Sequence, residues 1–315
     1  MEVCEKEQTD LLLIAGDLFH RQPLLRELKE LDYLFGGLTH TRVVIIAGNH
    51  DYLKNDSYYR TYKWKGPVSM FLSQELQALE IKELKTCIYG LSYEQKEIRE
   101  PLYDSAFPEN RQPIEILLAH GGDEKHIPFS RNRMVNLGYD YIALGHIHRP
   151  GVIEKDQICY AGSLEPTDKN DIGKHGYIKG EITGKGKKIQ FIPFSSREYI
   201  HMDIEIHEKM TNHEIKELVA ERIRERGTEN IYKIILKGYS DIDMIFDFSN
   251  MDIYGNILEF VDHTVPAYDY KKLFSQNADN LLGKYIESFE GCQTGSIEEQ
   301  ALFEGVRALL ETKRS

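Results

Sequence analysis

Four short segments mix glycine with residues that ligate metals or move protons. They are Gly16-Asp17-Leu18-Phe19-His20, Gly48-Asn49-His50-Asp51, His120-Gly121-Gly122 and Gly145-His146-Ile147-His148. Imidazole combined with carboxylate and amide oxygen, and no thiolate, suits Mn, Fe, Zn or Co better than an iron–sulfur cluster or a structural zinc. A carboxylate shared between two ions builds a two-metal site, which clamps a phosphoryl group and generates hydroxide from water near neutral pH. That chemistry is phosphoester hydrolysis. Taken singly, each segment reads as turn chemistry, with Gly supplying an unusual φ and Asp or Asn capping. Four in succession favour one shared site. His146 and His148 alternate, so a bend has to bring both rings to one centre.

The segments acquire meaning from the elements before them. Leu11-Leu12-Leu13-Ile14-Ala15, Val43-Val44-Ile45-Ile46-Ala47, Ile116-Leu117-Leu118-Ala119 and Tyr141-Ile142-Ala143-Leu144 are continuous apolar runs, the pattern of strands buried on both faces. Each ends where one of the polar segments begins. Leu24, Leu25, Leu28, Leu31, Leu34 and Phe35 recur at helical spacing between the first two runs, and Gly36-Gly37 closes that helix. Further strands are expected at Ile158-Cys159-Tyr160, Tyr177-Ile178 and Ile189-Gln190-Phe191-Ile192. Buried strands separated by helices imply a layered α/β domain. In such a sheet the carboxyl ends of the strands share an edge, and ligands bind there. Asp17, His20, Asn49, His50, Asp51, His120, His146 and His148 therefore converge.

After Phe194-Ser195-Ser196 the texture changes. Thr211-Asn212-His213-Glu214 is a capping box opening a helix with Ile215, Leu218, Val219 and Ile223 on one face, and Ile231 to Leu236 reads as a strand. Ser296-Ile297-Glu298-Glu299 is a second capping box, followed by Ala301, Leu302, Val306, Leu309 and Leu310. Two domains are expected, 1–195 and a smaller α+β domain at 196–315, with no internal repeat.

Composition limits the alternatives. A chain of 315 residues with 41% hydrophobic and 29% charged residues is folded rather than disordered. No apolar run is long enough to span a membrane, and the acidic start Met1 to Glu7 is no signal peptide. Cys4, Cys87, Cys159 and Cys292 are scattered, as free thiols in a reducing cytoplasm would be. The net charge of -12 argues at first against nucleic acid. Residues 196–315 carry 14 basic and 23 acidic side chains, a balance of -9, leaving only -3 on residues 1–195. The acidity sits on the second domain, so it does not exclude a polyanion at the strand ends of the first.

GDLFH, GNHD, HG and GHIH, in that order, resemble the motifs of the calcineurin-like metallophosphoesterase superfamily. GDLFH, with Tyr160-Ala161-Gly162-Ser163-Leu164-Glu165, is similar to its DNA-repair nuclease branch, which holds the SbcD-type exonuclease subunits. The resemblance covers residues 1 to about 195 and, more loosely, a C-terminal capping domain through Asp262-His263-Thr264-Val265-Pro266. It implies a layered β-sandwich flanked by helices and two divalent ions, Mn²⁺ foremost. Asp17 would bridge both ions, with Asn49, His120 and His146 completing one site and His148 joining Asp17 at the other. His50 would face the scissile phosphate and protonate the leaving oxygen, Asp51 would orient its ring, and His20 would help position substrate. DNA and an SbcC-like coiled-coil ATPase are the implied partners, along with a homodimer.

One departure accompanies the match. The superfamily opens with a strand carrying Asp-x-His, and residues 1–10 contain neither a His nor a strand pattern. A misplaced start codon, a truncation or a degenerate paralogue would each account for that, and the completeness of the other motifs favours truncation. The expectation is one full and one half metal site, an exposed sheet edge, and weak hydrolysis. A general phosphodiesterase or phosphatase, and a non-enzymatic scaffold for the ATPase, are the competing readings. His126, His175, His201, His207, His213 and His263 read as surface or core histidines. Arg131, Arg133, Arg149 and Lys185 to Lys188 read as solvated charge. The run Tyr58 to Lys65 mixes aromatic and basic residues in a way that suits single-stranded nucleic acid, but among 19 tyrosines it reads as chance clustering.

Overall fold

The computed structural model describes residues 1–293 and 296–314. Two compact units divide it, Met1–Tyr199 and Ile200–Ser315.

The first unit runs α1 (Glu2–Glu7), β1 (Leu11–Ala15), α2 (Leu25–Gly36), β2 (Arg42–Ile46), α3 (Tyr58–Thr61) and β3 (Val68–Met70). It continues through β4 (Gln77–Ile81), β5 (Thr86–Gly90), β6 (Ile114–His120), α4 (Arg131–Val135) and β7 (Tyr141–Gly145). It ends in β8 (Gly151–Glu154), β9 (Ile158–Tyr160) and the hairpin β10 (Gly176–Thr183) to β11 (Gly186–Pro193). Strands β1, β2 and β3 form a three-stranded parallel sheet with β1 at one edge. A six-stranded sheet has the order β4-β5-β6-β7-β9-β8, parallel from β5 to β9 and antiparallel at both edges.

Side-chain alternation explains why these sheets stack. Val44 and Ile46 of β2 point one way, to a core shared with Ile88, Ile116, Leu118, Tyr141 and Cys159 of the larger sheet. Val43 and Ile45 point the other way, to Leu31 and Phe35 of α2 and Cys4 near the N-terminus. The far face of the larger sheet, with Tyr89, Leu117, Ala119, Ile142 and Leu144, packs on Met134 of α4 and on Tyr93, Tyr103 and Ile127. A strand with both faces covered has no polar face, hence the continuous apolar runs. Each fully buried Ile or Leu here contributes about 1.5–3 kcal/mol. The α/β sandwich flanked by helices is therefore present.

The run Tyr58 to Lys65 is divided: Tyr58, Lys63 and Lys65 are exposed, while Tyr59, Tyr62 and Trp64 pack. Tyr59 is buried, Tyr62 donates its hydroxyl to Asp32, and Trp64 packs edge-on against Tyr62.

In the second unit β12 (Tyr199–Ile206), β13 (Ile231–Ser240) and β14 (Ile257–Asp262) form a sheet, with β15 (Val265–Pro266) also paired to β13. Helix α5 (Asn212–Arg226) lays Ile215, Val219 and Ile223 on Ile204, Ile206, Ile234 and Leu236. Its capping box forms: the Glu214 N–H donates to the Thr211 hydroxyl, and the Thr211 N–H to the Glu214 carboxylate at 2.8 Å. Helices α6 (Tyr270–Asn277), α7 (Leu281–Glu287) and α8 (Ile297–Arg314) bury Leu282, Ile286, Leu302 and Val306 together. Among the described residues no helix is long and apolar enough to cross a membrane, and all four cysteines are free.

Candidate metal centre

Four strands of the first unit deliver the candidate ligands from their carboxyl ends. Asp17 follows β1, Asn49 follows β2, His120 is the last residue of β6, and His146 follows β7. The turns are tight. Asp17 has φ 51° and His146 φ 95°, left-handed conformations that non-glycine residues rarely hold, and each follows a glycine. Such strain persists only where the surroundings fix it, and it clusters at functional sites. Gly16 itself has φ +83°, and a Cβ there would stand 2.5 Å from the His120 ring. A Cβ on Gly48 would run into the Asp17 carboxylate. Those two glycines allow the β1 and β2 loops to close on His120 and on each other.

Hydrogen bonds then assign the ring nitrogens. His120 is fully buried, and its Nδ1 lies 2.8 Å from the Ala15 carbonyl oxygen, to which it donates. Its Nε2 lies 2.9 Å from Asn49 Oδ1 and 3.2 Å from Asp17 Oδ2. His146 Nε2 donates to Asp123 Oδ2 at 2.7 Å, so its Nδ1 lone pair faces Asn49 Oδ1 at 3.0 Å. Two imidazole nitrogens, a carboxylate oxygen and an amide oxygen thus converge. Such a set is stable only around a positive centre, a proton or a cation. Ligand atoms of Asp17, His120 and His146 all lie within 4.8 Å of one another, as one ion requires. A mixed oxygen and nitrogen set of this kind fits a divalent first-row metal.

The charges agree with that geometry. Burial works to raise the Asp17 pKa, but the His120 ring and the His50 N–H, at 2.8 Å from Oδ1, together hold it below the usual carboxylate value. Burial pushes the His146 imidazole pKa down, against the pull of Asp123. Both therefore present unprotonated atoms at neutral pH.

His50 is a neighbour of the set. Its ring stacks on His20 with centroids 4.3 Å apart, at the mouth of a cleft of about 630 Å³. Burial pushes its pKa down; Asp17 opposes this, while His20 and Lys96 add to it.

Asp51 does not orient the His50 ring. Its carboxylate is fully buried and accepts from the Gly48 N–H at 2.8 Å, the Tyr59 hydroxyl at 2.9 Å and the Phe19 N–H at 3.3 Å. Facing inward, it ties the loop after β1 to the loop after β2. Burial and the nearby Asp17 charge push its pKa up to about 6.

His148 is not in the Asp17 set. Its Nδ1 lies 3.1 Å from Asp171 Oδ2 and 3.0 Å from Thr167 Oγ1. Donation to Asp171 leaves Nε2 as the nitrogen able to bind an ion.

Asp123 and His126 were not legible as site residues, yet Asp123 joins His146 and His126 in a second cluster with ligand atoms within 4.8 Å. The signal was the position of Asp123, directly after His120-Gly121-Gly122 at the end of β6. Hydrogen bonds from His146 and His126 hold its pKa well below the carboxylate range despite the opposing effect of burial.

Residues 1–150 match the family model of calcineurin-like phosphoesterases. That span contains all four strand-end segments and the whole Asp17, Asn49, His120, His146 set, and the sandwich is the arrangement expected of a metallophosphoesterase. An uncharacterized metallophosphoesterase, YhaO of Bacillus subtilis (strain 168), is 24% identical to this chain over 257 residues. The alignment covers 76% of this chain and 62% of YhaO, so the chain spans less than two thirds of that relative's length. The phosphoesterase-like unit thus pairs a family match with a donor set suited to the metal chemistry such a match suggests.

Proposed function

We propose that the first unit is a metal-dependent phosphodiester hydrolase acting on DNA, in the manner of the SbcD-type nuclease subunits its motifs resemble. The observation that carries the reading is the convergence of Asp17, Asn49, His120 and His146 beside His50. Asp17, Asn49, His120 and His146 would hold one divalent ion, Mn²⁺ foremost, and His148 with Asp17 a second. When bound, such ions supply Lewis acidity to a phosphoryl oxygen and lower the pKa of water.

The chain's own groups supply the rest. The His50 ring, held through its backbone N–H on Asp17 and by its stack on His20, reaches toward a phosphoryl group at the centre. The negative charge of that group opposes the effect of burial and raises the His50 pKa, so the ring can donate to the leaving oxygen. His20 fixes the plane of His50. An SbcC-like coiled-coil ATPase is the partner this reading implies, and a homodimer the assembly.

The test is direct. The purified chain with Mn²⁺ is assayed on linear and circular plasmid DNA and on bis-p-nitrophenyl phosphate. DNA cleavage abolished by chelation and by Asp17→Asn is the expected result. Cleavage of bis-p-nitrophenyl phosphate without DNA would restrict the unit to small phosphoesters. A chain that holds metal stoichiometrically and cleaves neither overturns the proposal.

A further inference from the structure

The cleft that opens beside Asn49 and His50 is built from three loops. His20 and Arg21 come from the loop after β1, Tyr52 and Lys54 from the loop after β2, and Lys96 from the loop after β5. Three cations therefore line it, in a chain with 39 basic and 51 acidic side chains. No residue lining it is acidic, so each cation must find a carboxylate outside the cleft or go without one. Arg21 does: its guanidinium bridges to Glu27, with Nη2 2.5 Å from Oε1 and Nη1 3.1 Å from Oε2. Lys54 and Lys96 do not. Among the described residues no carboxylate lies within ion-pair distance of either ammonium. The Lys54 ammonium is instead held over the Tyr52 ring, 5.6 Å from its centroid.

That combination has a chemical meaning. Two uncompensated positive charges facing one cleft repel each other unless an anion sits between them. A surface that follows a nucleic-acid strand combines cations along the backbone with aromatic side chains. The loops are also firmly placed: the Leu53 N–H donates to the Tyr93 carbonyl at 2.7 Å, and the Gln22 amide to the Tyr52 carbonyl at 2.9 Å. The cleft is therefore preformed, and it begins where the Asn49 and His50 end of the candidate metal centre stops.

The geometry points to a second phosphate subsite: Lys54 and Lys96 receive the phosphate next to the scissile one on a single polynucleotide strand. This rests on the phosphodiesterase reading, and it adds what selects the substrate. A compound with one phosphate would engage the metal centre alone, whereas a strand would engage both.

The experiment measures binding in the absence of turnover. A fluorescein-labelled oligothymidylate is titrated with the full chain in EDTA, at several salt concentrations, and anisotropy is read. The wild type is compared with Lys54→Ala/Lys96→Ala and Lys54→Arg/Lys96→Arg. The double alanine variant is expected to bind roughly tenfold more weakly, with its log K against log salt slope reduced by about 0.7, the value for one phosphate on a single strand. The double arginine variant is expected to keep both affinity and slope. Both lysines are exposed, so coincident thermal melts will show that folding is intact. A double alanine variant with wild-type affinity and slope overturns the subsite, as does a wild type that binds no oligothymidylate. Expected binding without Mn²⁺-dependent hydrolysis leaves the subsite standing and defeats the hydrolase proposal. DNA hydrolysis with an unchanged salt slope does the reverse.

Discussion

The imidazole of His20 lies against that of His50, ring centroids 4.3 Å apart and planes 24° from parallel. The two residues arrive on different loops, after β1 and after β2, and only the second is bonded to the metal-ligand set, through its N–H on Asp17. His50→Ala is expected to lower kcat on phosphodiesters by about 10²–10⁴-fold, the range for a positioned acid. His20→Ala should cost less, roughly tenfold, equivalent to about 1.4 kcal/mol. His20→Phe, which keeps a ring on the stack, should recover most of it. Equal losses in His20→Ala and His20→Phe would mean that His20 contacts substrate instead of bracing His50.

Asp51 carries a different expectation, because its partners are all structural. Removing a fully buried carboxylate that accepts three hydrogen bonds leaves the Gly48 and Phe19 N–H groups and the Tyr59 hydroxyl without an acceptor. Asp51→Ala should destabilise the chain by about 2–4 kcal/mol and Tyr59→Phe by about 1 kcal/mol in urea unfolding. A stable Asp51→Ala protein that has lost only activity would return Asp51 to the chemistry.

Asp32 sets a pH dependence away from the metal centre. It is buried on α2; burial alone would raise its pKa, but the Gly66 and Lys65 N–H groups and the Tyr62 hydroxyl outweigh that and hold it below the usual aspartate value. A group whose pKa is lowered by folding adds stability above its unfolded value, and the contribution disappears as pH falls through the folded value. The stability gap between the wild type and Asp32→Asn should therefore be full at pH 6 and shrink below about pH 4. A gap constant from pH 6 to pH 3 would contradict the assignment.

Asp123 should act through His146. Its oxygen fixes the Nε2–H tautomer at 2.7 Å, leaving Nδ1 toward the ion. Carboxylates in that position typically govern 10–100-fold in metal affinity. Calorimetric titration with Mn²⁺ should show Asp123→Asn weakened by about that factor, with the secondary structure unchanged. Wild-type affinity in that variant would leave His146 oriented by its neighbours alone.

Much of this was legible because one pattern carried it. An apolar run that ends in glycine and then a polar residue announces a buried strand and its functional end together, so β1, β2, β6 and β7 and the residues after them could be read along the chain. What escaped depended on directions in space. Asp51 adjoins His50 in sequence, yet its side chain turns into the core toward Tyr59, which no spacing rule encodes. Asp123 reaches His146 only because Gly121 and Gly122 adopt φ +135° and +120° and fold the loop back. Asp171 meets His148 at a sequence separation of 23, with β8 and β9 between them. The strand β5, Thr86-Cys87-Ile88-Tyr89-Gly90, is buried at every position but too mixed in composition to declare itself. Lys54 and Lys96 are ordinary surface lysines until the cleft they share, with no acidic residue in its lining, is seen.

The donor set is drawn evenly from the two layers of the sandwich: Asp17 and Asn49 from the three-stranded sheet, His120 and His146 from the six-stranded one. A cation held by all four is therefore a rivet through both layers, and its grip gauges the gap between them. A cavity opened at Ile46, within the interlayer core but not itself a ligand, should loosen that rivet, and filling the four-ligand set should in turn hold the layers at their spacing. In this arrangement the hydrophobic core does more than support the chemistry: its thickness sets the bite of the ligands.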